Sequence, residues 1–459
     1  MEGNSRETFA SRLGFIFLSA GCAIGLGNVW RFPFITGKYG GAAFVLIYIA
    51  FLLLLALPIM VMEFSVGRAS KKSPSRSFAV LRPEHKVWSI WGYAAWLGNI
   101  LLMMFYTTIT GWMLIYTYNS AIGSFEGLNA EAVGKFFGDF LDSPSQMVIG
   151  MTLSVLIGSA VCFSGLRNGV ERVTKIMMCG LLIIMISLAV RSVTLEGSEK
   201  GLEFYLKPDF SKLVSDGLMT ALYAALGQAF FTLSLGIGSM AIFGSYIEKD
   251  RSLFGESLIV TGLDTFVALT AGLIIFPACF AYGINPGAGP GLIFVTLPNM
   301  FNAMPSGQIW GTLFFLFMSF AALSTVIAVF ENIVACFMDQ FGWTRKKSVI
   351  IMTILVFVLS IPCALGFNLW KDIQPLGAGT GVLDLEDFIV SNNMLPFGSV
   401  IYLLFCVTRY GWGWDNFIKE ADEGKGLKFP AALRCYLTYI VPVIMLVIIG
   451  VGYYQTFAK

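Results

Sequence analysis

The sequence predicts an all-α polytopic membrane protein of eleven transmembrane helices, and three observations carry that reading. Hydrophobic residues fill 56% of the 459 positions and charged residues only 13%, with a mean hydropathy of +0.76, more apolar material than a soluble domain can hide. The apolar residues gather in eleven runs, each long enough to cross a bilayer core, which takes roughly 20 residues. The basic residues sit in short connections between those runs, and a net charge of +2 gives no footprint for nucleic acid. The eight cysteines stand singly, almost all inside apolar segments and without zinc or disulfide spacing, and read as buried thiols.

The runs fall at 12–37, 41–67, 88–120, 145–163, 168–193, 216–246, 254–283, 307–338, 347–367, 388–410 and 430–455. Between the second and third, residues 68–87 carry Arg68, Lys71, Lys72, Arg76, Arg82 and Lys86 against Glu84. Between the third and fourth, 121–144 carries Glu126, Glu131, Asp139 and Asp142 against Lys135. The positive-inside rule makes the first connection cytoplasmic and the second external. Alternation then puts Arg167, Arg172 and Lys175, and later Arg345, Lys346 and Lys347, inside; the N-terminus is expected in the cytoplasm and the C-terminus outside. Leu18–Cys22 has a loose likeness to a lipoprotein cleavage site, but more membrane segment follows it, so the N-terminal segment is expected to be retained. Residues 194–215 read as a polar loop, and the uncharged 284–306 as an external segment that folds back as a short helix-bearing cap.

Two runs interrupt themselves. The first contains "GCAIGLGNVWRFP" at 21–33, with Gly21, Gly25 and Gly27 ahead of Asn28, Arg31 and Pro33; the sixth contains "FTLSLGIGSM", with Gly236 and Gly238. Paired interruptions five spans apart point to an inverted repeat with a binding site at the midplane. Close helix packing through glycine is the other reading, and spacing alone leaves both open. Polar residues inside the spans add weight: Asn28, Arg31, Glu63, Gln228, Thr232, Ser234, Asp264, Ser324, Thr325 and Glu331 nearly all offer oxygen. Such donors suit a hard cation, sodium or a proton, and the single histidine, His85, lies in a loop, so zinc and copper are not expected. An unwound turn frees carbonyls for a cation while the new half-helix offers amides to a carboxylate, a pairing that fits an amino acid. Zincin, nucleophile-elbow and phosphate-loop motifs are absent, and an enzyme is not expected.

The stretch "RLGFIFLSAGCAIGLGNVWRFPFITGKYGGAAFVLIYI" at 12–49, "GQAFFTLSLGIGSM" at 227–240, "GLEFYLKPDFSKL" at 201–213, "GVERVTKI" at 169–176 and "SFAALSTVIAVFENIVACFMDQ" at 319–340 resemble the neurotransmitter:sodium symporter family. The likeness covers essentially the whole chain and is closest to the bacterial eleven-helix branch. It implies the 5+5 inverted-repeat transporter fold: an N-terminal tail and first repeat over 1–193, a second repeat over 216–411 and a last helix over 430–455. It also implies sodium-coupled symport of neutral hydrophobic L-amino acids across a bacterial inner membrane by alternating access, with two sodium ions, no organic cofactor and no obligatory protein partner. A symporter of another small solute, such as an osmolyte, and an amino-acid-sensing membrane protein are the alternatives.

By matched position, the resemblance implies a first sodium site on Ala23, Asn28, Thr232 and Asp264, and a second on Gly21, Ile24, Ala321, Ser324 and Thr325. Asp264 stands where the family usually has asparagine, and a fixed carboxylate there implies transport without chloride. The implied substrate pocket is Cys22, Ala23, Leu26, Gly27, Leu102, Tyr106, Phe231, Thr232, Ser234, Ile237, Thr325 and Val329, with Tyr106 and Phe231 as its lid. Implied gates pair Arg31 with Asp387 outside and Arg6 with Asp339 inside, beside Ser245 and Tyr246. Phe9 replaces a frequent tryptophan at the inner gate, and Cys179 replaces the proline of a fifth-helix Gly-x9-Pro motif that starts at Gly169.

Overall fold

Long apolar stretches have nowhere to satisfy backbone hydrogen bonds in lipid except along their own axis, so each closes into helix. A computed structural model describes residues 7–215, 217–283 and 291–457. Among the described residues nine continuous helices are long and apolar enough to cross a membrane, and a bent pair, Arg12–Ala23 and Gly27–Lys38, makes a tenth. The expected sixth span is two helices, Leu218–Thr232 and Ser239–Tyr246, each too short to cross alone. The interrupted first and sixth spans lie five spans apart, as a 5+5 inverted repeat requires.

The third and eighth spans, Val87–Ala121 and Gly307–Phe341, are both 35 residues long and bury 72% and 83% of their most apolar windows. They form the centre of the bundle. The ninth and eleventh, Arg345–Leu365 and Ala431–Tyr454, bury only 39% and 33% and lie at its periphery. Basic residues collect at one end: Arg12 meets Glu256, Arg68 meets Glu420, Lys72 meets Asp339 and Arg345 meets Glu331. We call this the basic end.

Several connections are more structured than sequence predicts. Residues 68–87 include a helix, Pro74–Leu81, that buries Phe78. Residues 121–144 include Ala130–Leu141, capped by Asn129 and burying Val133 and Phe140. The supposed polar loop at 194–215 forms Glu199–Leu206 and Phe210–Ser215, with Tyr205 buried against Phe276. In each case a few apolar residues at helical spacing have a neighbouring span to cover, a tertiary context invisible in the local sequence. The tenth span starts at Val382, six residues before the expected 388, because its acidic first turns line a water-accessible cavity instead of lipid. Of the apolar 284–306 segment, 284–290 lies outside the described residues, while Leu292–Thr296 and Leu297–Ala303 are helical. Phe294 stacks on Phe137 at 5.2 Å and meets Trp112 and Tyr116 edge-on, so the segment does fold back as a cap.

Candidate functional site

The two interruptions face each other at mid-bundle. Ser11 caps the first span by accepting from the Gly14 amide at 3.1 Å, and the α-helix runs to Ala23, where Ile24 turns extended with ψ 94°. The chain resumes as a π-helical turn over Gly27–Arg31, bent 50° from the first half, with Pro33 in the first turn of the helix that follows, where its missing N–H does little harm. In the sixth span the break runs from Leu233 to Gly238, with Gly236 at φ 95° and Gly238 at φ 75°. A side chain at either would be strained.

Freed backbone groups must be paired in a dry interior, and the intramembrane polar residues do this. Glu63 accepts from the Gly236 amide at 2.5 Å, Trp91 donates to the Gly236 carbonyl at 3.1 Å, and Asn99 donates to the Ile237 carbonyl at 2.7 Å. Gln228 donates to the Gly27 carbonyl at 2.8 Å, while Asn28 Oδ1 accepts from the Gly25 amide at 3.0 Å. The Tyr106 hydroxyl accepts from the Leu26 amide at 2.9 Å.

Asn28 Nδ2 also donates to Asp264 Oδ1 at 2.7 Å, and the Thr232 hydroxyl donates to both Asp264 oxygens at 3.1 Å. These three buried side chains of the first expected cation site therefore converge, while Ala23 belongs to the wall of the central cavity. The five residues of the second set converge as well. Ser324 Oγ lies 3.4 Å from the Ile24 carbonyl and 2.9 Å from that of Ala321, and Thr325 Oγ1 lies 3.3 Å from the Gly21 carbonyl. Both clusters are made of hard oxygens, the donor set a sodium ion takes.

Between them is a cavity of about 10 Å³ lined by Cys22, Ala23, Gly25, Gly27, Leu102, Tyr106, Phe231, Ser234, Thr325 and Leu395. No charged side chain is among its lining residues. Above it opens a second cavity of about 350 Å³, walled by Trp30, Arg31, Phe34, Leu383, Asp384 and Asp387 among others. Tyr106 and Phe231 are the residues common to both walls, so they form the partition between them.

Five expectations need correction. The Leu26 side chain faces the upper cavity and only its amide turns toward Tyr106. Thr232 faces Asp264, and Ile237 and Val329 are buried outside the cavity wall, Ile237 beside Gly98. Arg31 and Asp387 share the upper cavity without forming an ion pair: the guanidinium lies over the Phe231 ring at 4.6 Å, and Asp387 accepts from Ser391 at 2.5 Å. Two wall residues were not foreseen: Gly25, whose Cβ would meet the Tyr106 hydroxyl at 2.3 Å, and Leu395, which nothing in an apolar run distinguishes.

At the basic end, Arg6 lies outside the described residues. Asp339 accepts from the Ser73 amide at 2.6 Å and faces Lys72 at 3.5 Å. Ser245 donates to the Ile242 carbonyl at 2.7 Å. Tyr246 donates to the buried Glu331 at 2.7 Å, which Arg345 grips through two nitrogens at 2.7 and 2.9 Å, and Phe9 packs edge-on against the Tyr246 ring at 5.7 Å. Beyond the end of the second span, burial and then the adjacent Arg68 push the Lys71 ammonium below the usual lysine range.

The chain resembles known proteins. A model of the sodium:neurotransmitter symporter family matches residues 6–126 and 135–458. The chain is 33% identical over 445 residues to an uncharacterised sodium-dependent transporter, YhdH, of Bacillus subtilis, covering 96% of each. It is 25% identical to a sodium-dependent serotonin transporter of Drosophila melanogaster, covering 97% of this chain and 76% of that one. The crystal structure of MhsT in complex with L-phenylalanine superposes with a TM-score of 0.88 at 38% identity, over 97% of this chain and 100% of that one. With its interrupted spans, its oxygen clusters and these likenesses, the chain belongs to the sodium:neurotransmitter symporter family and is a multi-pass, sodium-dependent membrane transporter.

Proposed function

We propose that this transporter carries a neutral, hydrophobic L-amino acid together with two sodium ions into a bacterial cell by alternating access, without chloride. The observation that carries the reading is one small cavity with an apolar wall and a polar pole. That pole combines the Tyr106 hydroxyl and Leu26 amide, which can meet an α-carboxylate, with the nearby cluster of Asn28, Thr232 and Asp264 for a cation. A carboxylate and a sodium ion placed together raise each other's affinity by the same factor, which is the coupling that transport needs.

The amine would meet carbonyls near Phe231 and Ser234, freed by the break that follows Thr232. The remaining wall, Cys22, Leu102, Phe231 and Leu395, suits an aliphatic or aromatic side chain and offers nothing to a charged one. The likeness to MhsT, solved with L-phenylalanine, supports the same class of substrate. Asp264 supplies the fixed negative charge that makes chloride dispensable. With the basic end cytoplasmic, as the positive-inside rule has it, the upper cavity is the external vestibule.

The cycle then runs as follows. Sodium favours the vestibule-open form; substrate seats against the first ion and draws Tyr106 and Phe231 over it; loss of the second ion frees the basic end to open. Uptake of radiolabelled leucine and phenylalanine into proteoliposomes tests this directly. Accumulation should require an inward sodium gradient and persist when gluconate replaces chloride. Accumulation indifferent to the sodium gradient would overturn the reading.

A further inference from the structure

Where the tenth span passes the break of the sixth, the two backbones touch. A Cβ on Gly236 would stand 2.1 Å from the Leu395 carbonyl oxygen, and one on Gly398 would stand 2.1 Å from the Gly236 carbonyl oxygen. No side chain separates the two spans there, so the tenth has no cushion along which to shift. Immediately before the contact the tenth span carries a π-helical stretch, Phe388–Met394, and Leu395 opens the regular helix that continues to Val407. A π insertion displaces the helical register by about one residue and turns the following side chains onto a new face. Leu395 is 2% exposed and supplies the tenth span's share of the central cavity wall.

We propose that Leu395 sets the upper size of the substrate side chain, a role that rests on the amino-acid reading above. Its backbone is fixed by the Gly236–Gly398 contact, so its side chain cannot retreat unless the break itself moves. The cavity measures about 10 Å³, room for about one water, so its wall must part to admit any amino-acid side chain, and a wall residue whose backbone is held in place parts least. An apolar residue with no part in the Tyr106–Leu26 or Asp264 clusters changes the room available without touching the groups that hold a carboxylate or a cation. The pocket therefore grades ligands by volume at the tenth span and by charge at the first.

The test is competition. Unlabelled alanine, valine, leucine, phenylalanine and tryptophan are titrated against radiolabelled leucine uptake by the full-length protein in proteoliposomes. Leu395→Ala should improve tryptophan relative to valine by about 10-fold, and Leu395→Phe should move the ratio the other way, in line with what a methylene or two is worth in an apolar site. Leu395→Val, the gentlest change, should lie between wild type and Leu395→Ala and keeps the test alive if the alanine variant fails to fold. A wild-type protein that accumulates none of the five overturns the amino-acid reading and Leu395's role with it. A working wild type whose variants keep the wild-type rank order, or lose all five ligands equally, overturns the role of Leu395 alone.

Discussion

Asp264 concentrates the electrostatic argument in one side chain. It is fully buried, accepts from Asn28 and Thr232, and has no cationic partner among the described residues. A buried carboxylate so placed is neutralised either by a proton or by a bound cation. Asp264→Asn should weaken sodium activation of transport at least 10-fold, equivalent to about 1.4 kcal/mol, and make uptake respond to added chloride; sodium titrations with and without chloride check both. Gly27 concentrates the steric argument, since a Cβ there would lie 2.8 Å from Phe231 Cδ1. Gly27→Leu should abolish amino-acid binding while the protein still elutes as a single folded species in detergent. Retained binding would remove Gly27 from the site. Both residues stand out in the sequence, as a carboxylate and a run of glycines inside apolar spans, although glycine packing would leave the same pattern. Leu395 and Val329 do not: apolar residues in apolar helices differ only in which way they point, and direction is set by packing.

At the level of elements, the basic end is tied by a knot that joins three parts of the chain. Arg68, fully buried at the end of the second span, holds Glu420 at 2.6 Å and the Arg251 carbonyl at 2.6 Å. Lys249 reaches Glu420 at 3.1 Å and Glu423 at 2.8 Å, while the Ser252 and Lys425 amides bond across the two loops at 3.0 and 2.8 Å. Arg68→Ala takes away the buried partner of Glu420 and leaves it only the half-exposed Lys249, and removing one partner of a buried pair costs about 3–5 kcal/mol. The variant should melt several degrees lower in detergent, whereas Lys249→Ala, whose side chain is 46% exposed, should hardly shift the melting temperature. The spans themselves could be read from composition, since length and hydropathy decide them. The knot could not, because Arg68 and Glu420 are 352 positions apart and a basic loop residue ordinarily signals topology alone.

For the whole molecule, the two cavities set an order of access. A cysteine introduced at Leu383, in the 350 Å³ vestibule, should react quickly with a membrane-impermeant thiol reagent, while native Cys22 beneath the partition should not. Peptide mass mapping distinguishes the two sites, and rapid labelling of Cys22 under the same conditions would contradict the arrangement. The partition itself carries a kinetic consequence. Toward the vestibule the seal is two rings deep. Toward the basic end it is several layers deep: Phe15 lies against Phe64 at 5.3 Å and Phe9 at 5.9 Å, and beyond them stands the Tyr246–Glu331–Arg345 network. Turning two side chains is a smaller and faster motion than displacing packed helices, which takes microseconds to milliseconds. A thin door facing a thick wall makes the molecule a rectifier in time: a captured solute knocks many times on the side it came from before the other side yields.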